Sequence, residues 1–159
     1  MILVILGTQD KEFTRLLKMV EDMIKEGLIK DEVIVQAGQT KYKSKYMGIL
    51  DLIPNTKFNK LIKEADLVIT HGGVGSIISA LKQNKSVIAV PRLSKYSEHV
   101  NDHQLEIVEE FSKLGYIKSA TNKKEFRKAL KDIKEFKGTK YKSNNSKMIK
   151  LIEDYIDNI

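Results

Sequence analysis

Cysteine and tryptophan are both absent from the 159 residues. Without cysteine there can be no disulfides, zinc–thiolate sites, iron–sulfur clusters or thiol nucleophiles. The absence suits a reducing compartment, so a cytoplasmic location is expected. Only two prolines and nine glycines punctuate the chain, too few for a low-complexity or linker-rich protein. Long hydrophobic runs are also missing. A membrane-spanning helix needs about 20 apolar residues. The first apolar run here, Met1 to Leu6, is far shorter and has no basic lead-in or small-residue cleavage site, so it is not a signal peptide. No GK[ST] follows a glycine-rich loop and no GxSxG occurs, which disfavours a P-loop nucleotide site and a Ser–His–Asp hydrolase.

The length suits one domain able to bury a core without staples. Lysine plus arginine number 28 against 21 acids, for a net charge of +7. That excess is local. Residues 1–117 hold 16 bases and 15 acids, residues 118–150 hold 12 and 3, and the last nine contribute −3. A basic segment can bind nucleic acid. Aromatic interleaving is sparse there, limited to Phe126, Phe136 and Tyr141, so a solvated helix face or a membrane or partner contact is expected instead.

Short β-branched runs at 2–6, 33–37, 66–70 and 86–90 suit strands buried on both faces of a parallel sheet. Between them, helical spacing occurs over 11–27, 56–65, 76–83 and 98–114, with Gly27 and Gly115 as stop signals. The alternation predicts an α/β domain: a Rossmann-like, doubly wound parallel sheet over 1–118. Asn122 and Glu125 have the spacing of a capping box that opens a helix running to about Phe136. After a linker at 138–145, a last amphipathic helix carries Met148, Ile149, Ile152, Tyr155 and Ile156. Residues 119–159 are thus basic C-terminal helices, packed on the same domain or on a partner. Two loops are long for such a fold, 41–46 and 91–102, and long loops on a rigid sheet often carry function.

The richest stretch for chemistry is ITHGGVGSIISAL (69–81). A strand runs into His71-Gly72-Gly73-Val74-Gly75-Ser76, where a helix begins. Glycines let a backbone approach a ligand closely, and a helix N-terminus presents unpaired N–H groups and partial positive charge. A plain strand-to-helix turn could use the same residues, but three glycines and a serine in this context favour a phosphate or diphosphate site, with Ser76 capping the helix or bonding phosphate. Gly7-Thr8 and Gln36-Ala37-Gly38 end two other strands, so several loops should converge on one crevice. The second cluster is Glu98-His99-Val100-Asn101-Asp102-His103-Gln104. Its carboxylates and amides suit recognition of sugar hydroxyls. Two alternatives stand beside that reading: a merely polar helix start, and a metal site on His99 and His103 at i, i+4, for which no third ligand is placed.

LGTQ (6–9), QAG (36–38), ADLVITHGGVGSI (65–77), VPR (90–92), EHVNDHQ (98–104) and KLGYI (113–117) resemble, in order, the C-terminal nucleotide-sugar-binding half of GT-B glycosyltransferases. Similar stand-alone subunits of two-component enzymes are the cytosolic subunit of the N-acetylglucosaminyltransferase acting on dolichol-linked GlcNAc and subunits of bacterial capsule and exopolysaccharide synthesis. The resemblance implies a hexosyltransferase subunit that binds a UDP-sugar. Gly7, Thr8, Gly38, His71, Gly72, Gly73, Gly75 and Ser76 would lie at the diphosphate, and Leu52 and Ile53 at uracil. Asp102, His103 and Gln104 match the segment that would contact the sugar, with Glu98 and Asn101 beside them as sugar-binding candidates from their residue types. Many relatives carry a ribose-binding glutamate three residues after the loop serine, whereas this chain has Ser79. Neither a metal nor another cofactor would be required. A membrane-anchored partner would carry the acceptor half, a lipid-linked saccharide would be the acceptor, and the catalytic base would lie outside this chain. The basic tail would help hold the pair at the cytoplasmic face of the membrane. A non-catalytic scaffold role, without UDP binding, is the competing expectation.

Overall fold

The computed structural model describes residues 1–141 together with Lys150 and Glu153. The expected amphipathic helix around Met148–Ile156 lies outside the described residues. Among the described residues six parallel strands form one sheet: β1 (Ile2–Ile5), β2 (Val33–Gln36), β3 (Gly48–Leu50), β4 (Leu67–Thr70), β5 (Ser86–Ala89) and β6 (Lys118–Ser119). Their spatial order is β3-β2-β1-β4-β5-β6, the doubly wound arrangement, in which the chain reverses direction across the sheet beside β1. All four strands expected from β-branched runs are present. β3 and β6 are additions to that expectation, because three residues beginning with glycine, or two polar residues, leave no hydrophobic run to detect.

Alternation along the strands sorts the core into two layers. Ile2, Val4, Leu6, Val33, Val35, Ile69 and Ile88 face α1 (Thr14–Lys25) and α5 (Lys123–Asp132). Leu3, Ile5, Val68, Val87 and Ala89 face α2 (Asn55–Glu64), α3 (Val74–Lys82) and α4 (His103–Lys113). Every β1 side chain is buried, so the central strand is covered on both faces, as its unbroken apolar run requires. The expected boundary at residue 118 falls within β6, and α5 beyond it packs with α1 on the same sheet. Two of α5's cations are paired there, Lys123 with Asp22 at 3.2 Å and Arg127 with Glu26 at 3.0 Å.

Helix ends follow local chemistry. α1 and α4 stop in Schellman turns at Gly27 (φ +80°) and Gly115 (φ +82°). In each, the amide two residues past the C-cap reaches back to the helix, Leu28 to Met23 O and Tyr116 to Phe111 O. The box at α5 forms, with the Glu125 amide donating to Asn122 Oδ1 at 2.8 Å. The Glu125 carboxylate returns to the Thr121 amide, one residue earlier than the usual partner. α4 begins at His103, not at residue 98. Short polar side chains capture nearby amides instead: Glu98 takes Leu93 N, Asp102 takes Ser94 N and Asn101 Oδ1 takes His103 N. Such local bonds compete with helix formation. The loop at 41–46 lies against α1, where Glu21 accepts from Tyr42 and Ser44, away from the crevice described below. Among the described residues no helix is long and apolar enough to cross a membrane.

Candidate functional site

Register decides what meets at the carboxyl edge. Ile5 pairs with Gln36 on one side and with Thr70 on the other, so Gly7, Gly38 and His71 leave the sheet at one level. There the chain forms a cavity of about 270 Å³, lined by Ile5, Gly7, Thr8, Gln36, Leu52, Ile53, Asn55, Phe58, Gly75, Ser76 and Ser79. The turn after β1, the approach to α2 and the head of α3 thus share one crevice, where ligands of open α/β sheets bind.

The floor is rigid. Gln36 grips Gly7 twice: its Oε1 accepts from Gly7 N and its Nε2 donates to Gly7 O, both at 3.1 Å. A Cβ on Gly38 would stand 2.3 Å from Gly7 O, so no side chain fits there. His71 is held between two glycines. A Cβ on Gly7 would come within 2.6 Å of its Nε2, and one on Gly73 within 2.4 Å of its Cε1. Gly72 is required by the helix behind it, since a Cβ there would lie 2.7 Å from Gln104 Cβ. Gly75 differs from these: nothing lies within 4 Å of the Cβ it lacks, and that space is the crevice.

The head of α3 supplies donors. Gly73 is its N-cap and no side chain bonds the first turn. The amides of Val74, Gly75 and Ser76 therefore have no intrahelical acceptor, and they carry the positive end of the helix dipole. Ser76 sits inside the helix, so it does not cap it. Its Oγ stands 3.5 Å from His71 Nε2. Burial is the main reason that the His71 pKa falls to about 3, with Arg92 adding to the effect, so the ring is neutral at ordinary pH. Gln104 Nε2 lies 3.1 Å from its Nδ1.

Toward the other end, Leu52, Ile53 and Phe58 present apolar surface, and Leu52 is 56% exposed. Thr8 stands exposed at the rim. Ser79 lines the crevice and donates to Gly75 O at 2.8 Å. Its oxygen keeps lone pairs for a ligand hydroxyl.

The segment expected at the sugar divides. Glu98 is 4% exposed; it holds Arg15 through two contacts of 2.9 and 3.0 Å and accepts from Leu93 N. Gln104 is 1% exposed, and its Oε1 accepts from Gly72 N and Arg92 N. Both side chains are thus engaged within the protein, whereas the expectation was a contact with sugar hydroxyls. Asn101, Asp102 and His103 remain at the surface side of the α4 start, where Asp102 is held by the Ser94 amide and its pKa is lowered chiefly by that bond. His99 precedes the helix and its Nδ1 accepts from Asn101 N, so the i, i+4 geometry considered for a metal does not exist. Among the described residues, no group of three His, Asp or Glu side chains is placed to hold a metal ion.

Arg92 belongs to the VPR motif, which by itself gives the side chain no role. Among the described residues it is the largest fully buried side chain, and its guanidinium donates to Leu6 O, Lys11 O and Glu98 O. One residue thus ties the turn after β1 to the loop before α4. Burial lowers its pKa to about 10, which leaves it cationic. Asn55 and Phe58 escape sequence reasoning because nothing in a short polar helix marks which face meets a crevice.

The family model for the glycosyltransferase family 28 C-terminal domain matches residues 1–159. Among curated proteins, UDP-N-acetylglucosamine transferase subunit ALG13 of Debaryomyces hansenii is 30% identical over 113 residues, 71% of this chain and 49% of that protein. The protein of the same name from Candida albicans is 37% identical over 75 residues, 47% of this chain and 24% of that one. The chain therefore spans half or less of the length of these relatives. Among solved structures, the solution structure of ALG13 superposes with a TM-score of 0.62 at 20% identity, covering 94% of this chain and 93% of that one. UDP-GlcNAc 2-epimerase from Methanocaldococcus jannaschii gives 0.66 at 14% identity, covering 98% and 45%. The glycosyltransferase SnogD from Streptomyces nogalater gives 0.54 at 16%, covering 98% and 39%. At such identities these likenesses show the fold alone, the Rossmann-like C-terminal half of a GT-B enzyme. The match along the whole chain shows more: this chain belongs to the glycosyltransferase family 28 C-terminal domain family.

Proposed function

We propose that the chain is the UDP-sugar-binding, catalytic subunit of a two-component inverting glycosyltransferase. UDP-N-acetylglucosamine is the donor, as the names of the ALG13 relatives suggest. The observation that carries the reading is the crevice itself: Gly75 and Ser76, with unpaired amides at the head of α3, stand at one end with the neutral His71 ring buried behind Ser76, and Leu52, Ile53 and Phe58 stand at the other. A diphosphate fits the first end and a uridine the second. Each charge-assisted bond from an amide to phosphate contributes about 1.5–3 kcal/mol. Those donors also stabilise the charge that develops on UDP as the glycosidic bond breaks.

In this reading Thr8 and the loop 71–76 hold the diphosphate, Leu52 and Ile53 the base, and Asn101, Asp102 and His103 the sugar. Ser79 stands at the ribose. An acceptor hydroxyl attacks the anomeric carbon with inversion, the bond to UDP breaks, and a base on the partner takes the proton. The partner is a membrane-anchored subunit that closes the crevice and carries a lipid-linked saccharide, and the product belongs to a capsule, an exopolysaccharide or a glycolipid. The basic C-terminal stretch adds contact with the partner or the cytoplasmic leaflet, where each Lys or Arg near an anionic surface is worth about 1 kcal/mol.

Ser79 in place of a carboxylate favours one rival, a scaffold subunit that does not bind the donor. Calorimetry on the full chain separates the two. UDP-N-acetylglucosamine is expected to bind and to be displaced by UDP but not by GDP. No heat of binding at millimolar ligand overturns the proposal and leaves the scaffold reading standing.

A further inference from the structure

We infer that Gln104 is a positioning residue: it holds His71 as the Nε2–H form, so that a proton and not a lone pair faces Gly7 and the Ser76 hydroxyl in the wall of the crevice. The inference rests on the nucleotide-sugar reading of that crevice and deepens it. It begins with atoms that have no choice. The amides of Gly72 and Arg92 can only donate, and both point at Gln104 Oε1, at 3.0 and 3.1 Å. Reversing the carboxamide would set its NH₂ against two N–H groups. Its orientation is therefore determined, and the atom facing His71 Nδ1 at 3.1 Å is the donor Nε2. A ring nitrogen that accepts carries no proton, so in a neutral imidazole the proton sits on Nε2.

The ring has little freedom to escape this. Gly7 and Gly73 close on it from the two strand ends, at distances where not even a methyl group fits. Its Nε2 faces Gly7 and the Ser76 hydroxyl, both part of the crevice wall. Glutamine suits the task because one trigonal group offers an acceptor for two amides and a donor for the ring. Glutamate keeps the acceptor and loses the donor, which makes Gln104→Glu a sharp probe. The carboxylate introduced by that substitution still satisfies Gly72 and Arg92, but it draws the ring proton to Nδ1 and turns the Nε2 lone pair toward the crevice wall at Ser76.

Nearby charges frame the pH response. Arg92 and His99 are the charged or titratable groups acting on the ring, one from the segment after β5 and one from the loop before α4. Gly7, Gly73 and Ser76 on the remaining sides bring none. Arg92 keeps its charge over the working range, and His99 is present in both proteins compared, so its titration cancels between them. Burial keeps the native ring neutral from pH 6 to 9, whereas a carboxylate at position 104 raises the ring's proton affinity.

The test uses the full chain, with long-range ¹H–¹⁵N spectra of the imidazoles and His71→Gln to assign the signals. The native protein is expected to show an unprotonated Nδ1 and a protonated Nε2 at His71, and Gln104→Glu the reverse at pH 8. UDP-N-acetylglucosamine, whose diphosphate does not titrate in this range, serves as ligand. Native affinity is expected to be flat from pH 6 to 9. The glutamate variant is expected to bind at least tenfold more weakly at pH 8 and to recover as the pH falls toward 6 and the ring takes its second proton. A protonated Nδ1 in the native protein overturns the inference, and so does a variant that binds like the native chain at pH 8. If the native chain shows the expected tautomer but binds no UDP-sugar, the ring assignment survives and the nucleotide reading fails.

Discussion

Gly75 and Gly73 stand two residues apart in one loop, and the structure gives their substitution opposite consequences. Gly75 lies in the first turn of α3 and its missing Cβ points into open crevice. Side chains in the first turn lean toward the helix N-terminus, where an anion would sit. Gly75→Ala therefore removes backbone entropy from the unfolded chain and favours the helix, a gain of about 0.5 kcal/mol. For a chain this long that raises Tm by roughly 1–2 °C. The same methyl group displaces a phosphate from its amide donors. Losing one charge-assisted bond costs about 1.5–3 kcal/mol, or roughly a 10- to 100-fold rise in Kd. Gly73→Ala instead drives a Cβ to 2.4 Å from a ring that Gly7 and Gln104 hold in place, so stability itself falls, by about 1–3 kcal/mol. Differential scanning calorimetry and UDP-N-acetylglucosamine titration on both variants make the assay. A Gly75→Ala protein that binds as tightly as the native one would refute the placement of the diphosphate, whatever its Tm.

Two further outcomes follow from the buried groups. His71 has its pKa lowered to about 3 in the folded chain against about 6.5 unfolded, so the unfolded state takes up the extra proton first. Stability from this site is complete above the unfolded pKa and falls as pH drops toward the folded one, by about 2 kcal/mol between pH 7 and 5. Urea unfolding at both pH values should show this, and His71→Gln should flatten it; an unchanged slope in that variant contradicts the burial argument. Glu98→Ala leaves Arg15 with only the carbonyls of Thr121 and Pro91 and frees the Leu93 amide. Because Arg15 is 20% exposed, the cost is about 2–3 kcal/mol, below that of a fully buried pair, and Tm should drop by roughly 5–10 °C. A shift under 1 °C would return Glu98 to the pool of sugar-binding candidates.

Much of the scaffold is legible in the residues. Unbroken β-branched runs mark β1, β2, β4 and β5 because strands covered on both faces have no polar face to show. Gly27 and Gly115 mark helix ends because the left-handed conformation there excludes most side chains. The glycine loop at 71–76 is recognisable for a related reason: it needs a backbone bare enough for close approach. The strap before α4 reads as helix in the sequence, since hydrophobic spacing over 98–114 says nothing about Glu98 and Asp102 capturing the Leu93 and Ser94 amides. Polar residue types suggest ligand contacts at Glu98 and Gln104. Whether a polar side chain serves a ligand or a neighbouring loop depends on what folds against it.

The sequence by itself determined the α/β class, the glycine loop at a strand end and the excess of positive charge toward the C-terminus, because each is written in residues adjacent along the chain. Tertiary structure alone decided that Gln36 grips Gly7, that His71 lies between Gly7 and Gly73, and that Arg92 and Gln104 hold the crevice from behind. Apart from His71 and Gly73, those partners sit far apart in the chain. They meet because parallel pairing brings Ile5 level with both Gln36 and Thr70, and register is a property of strands aligned in space.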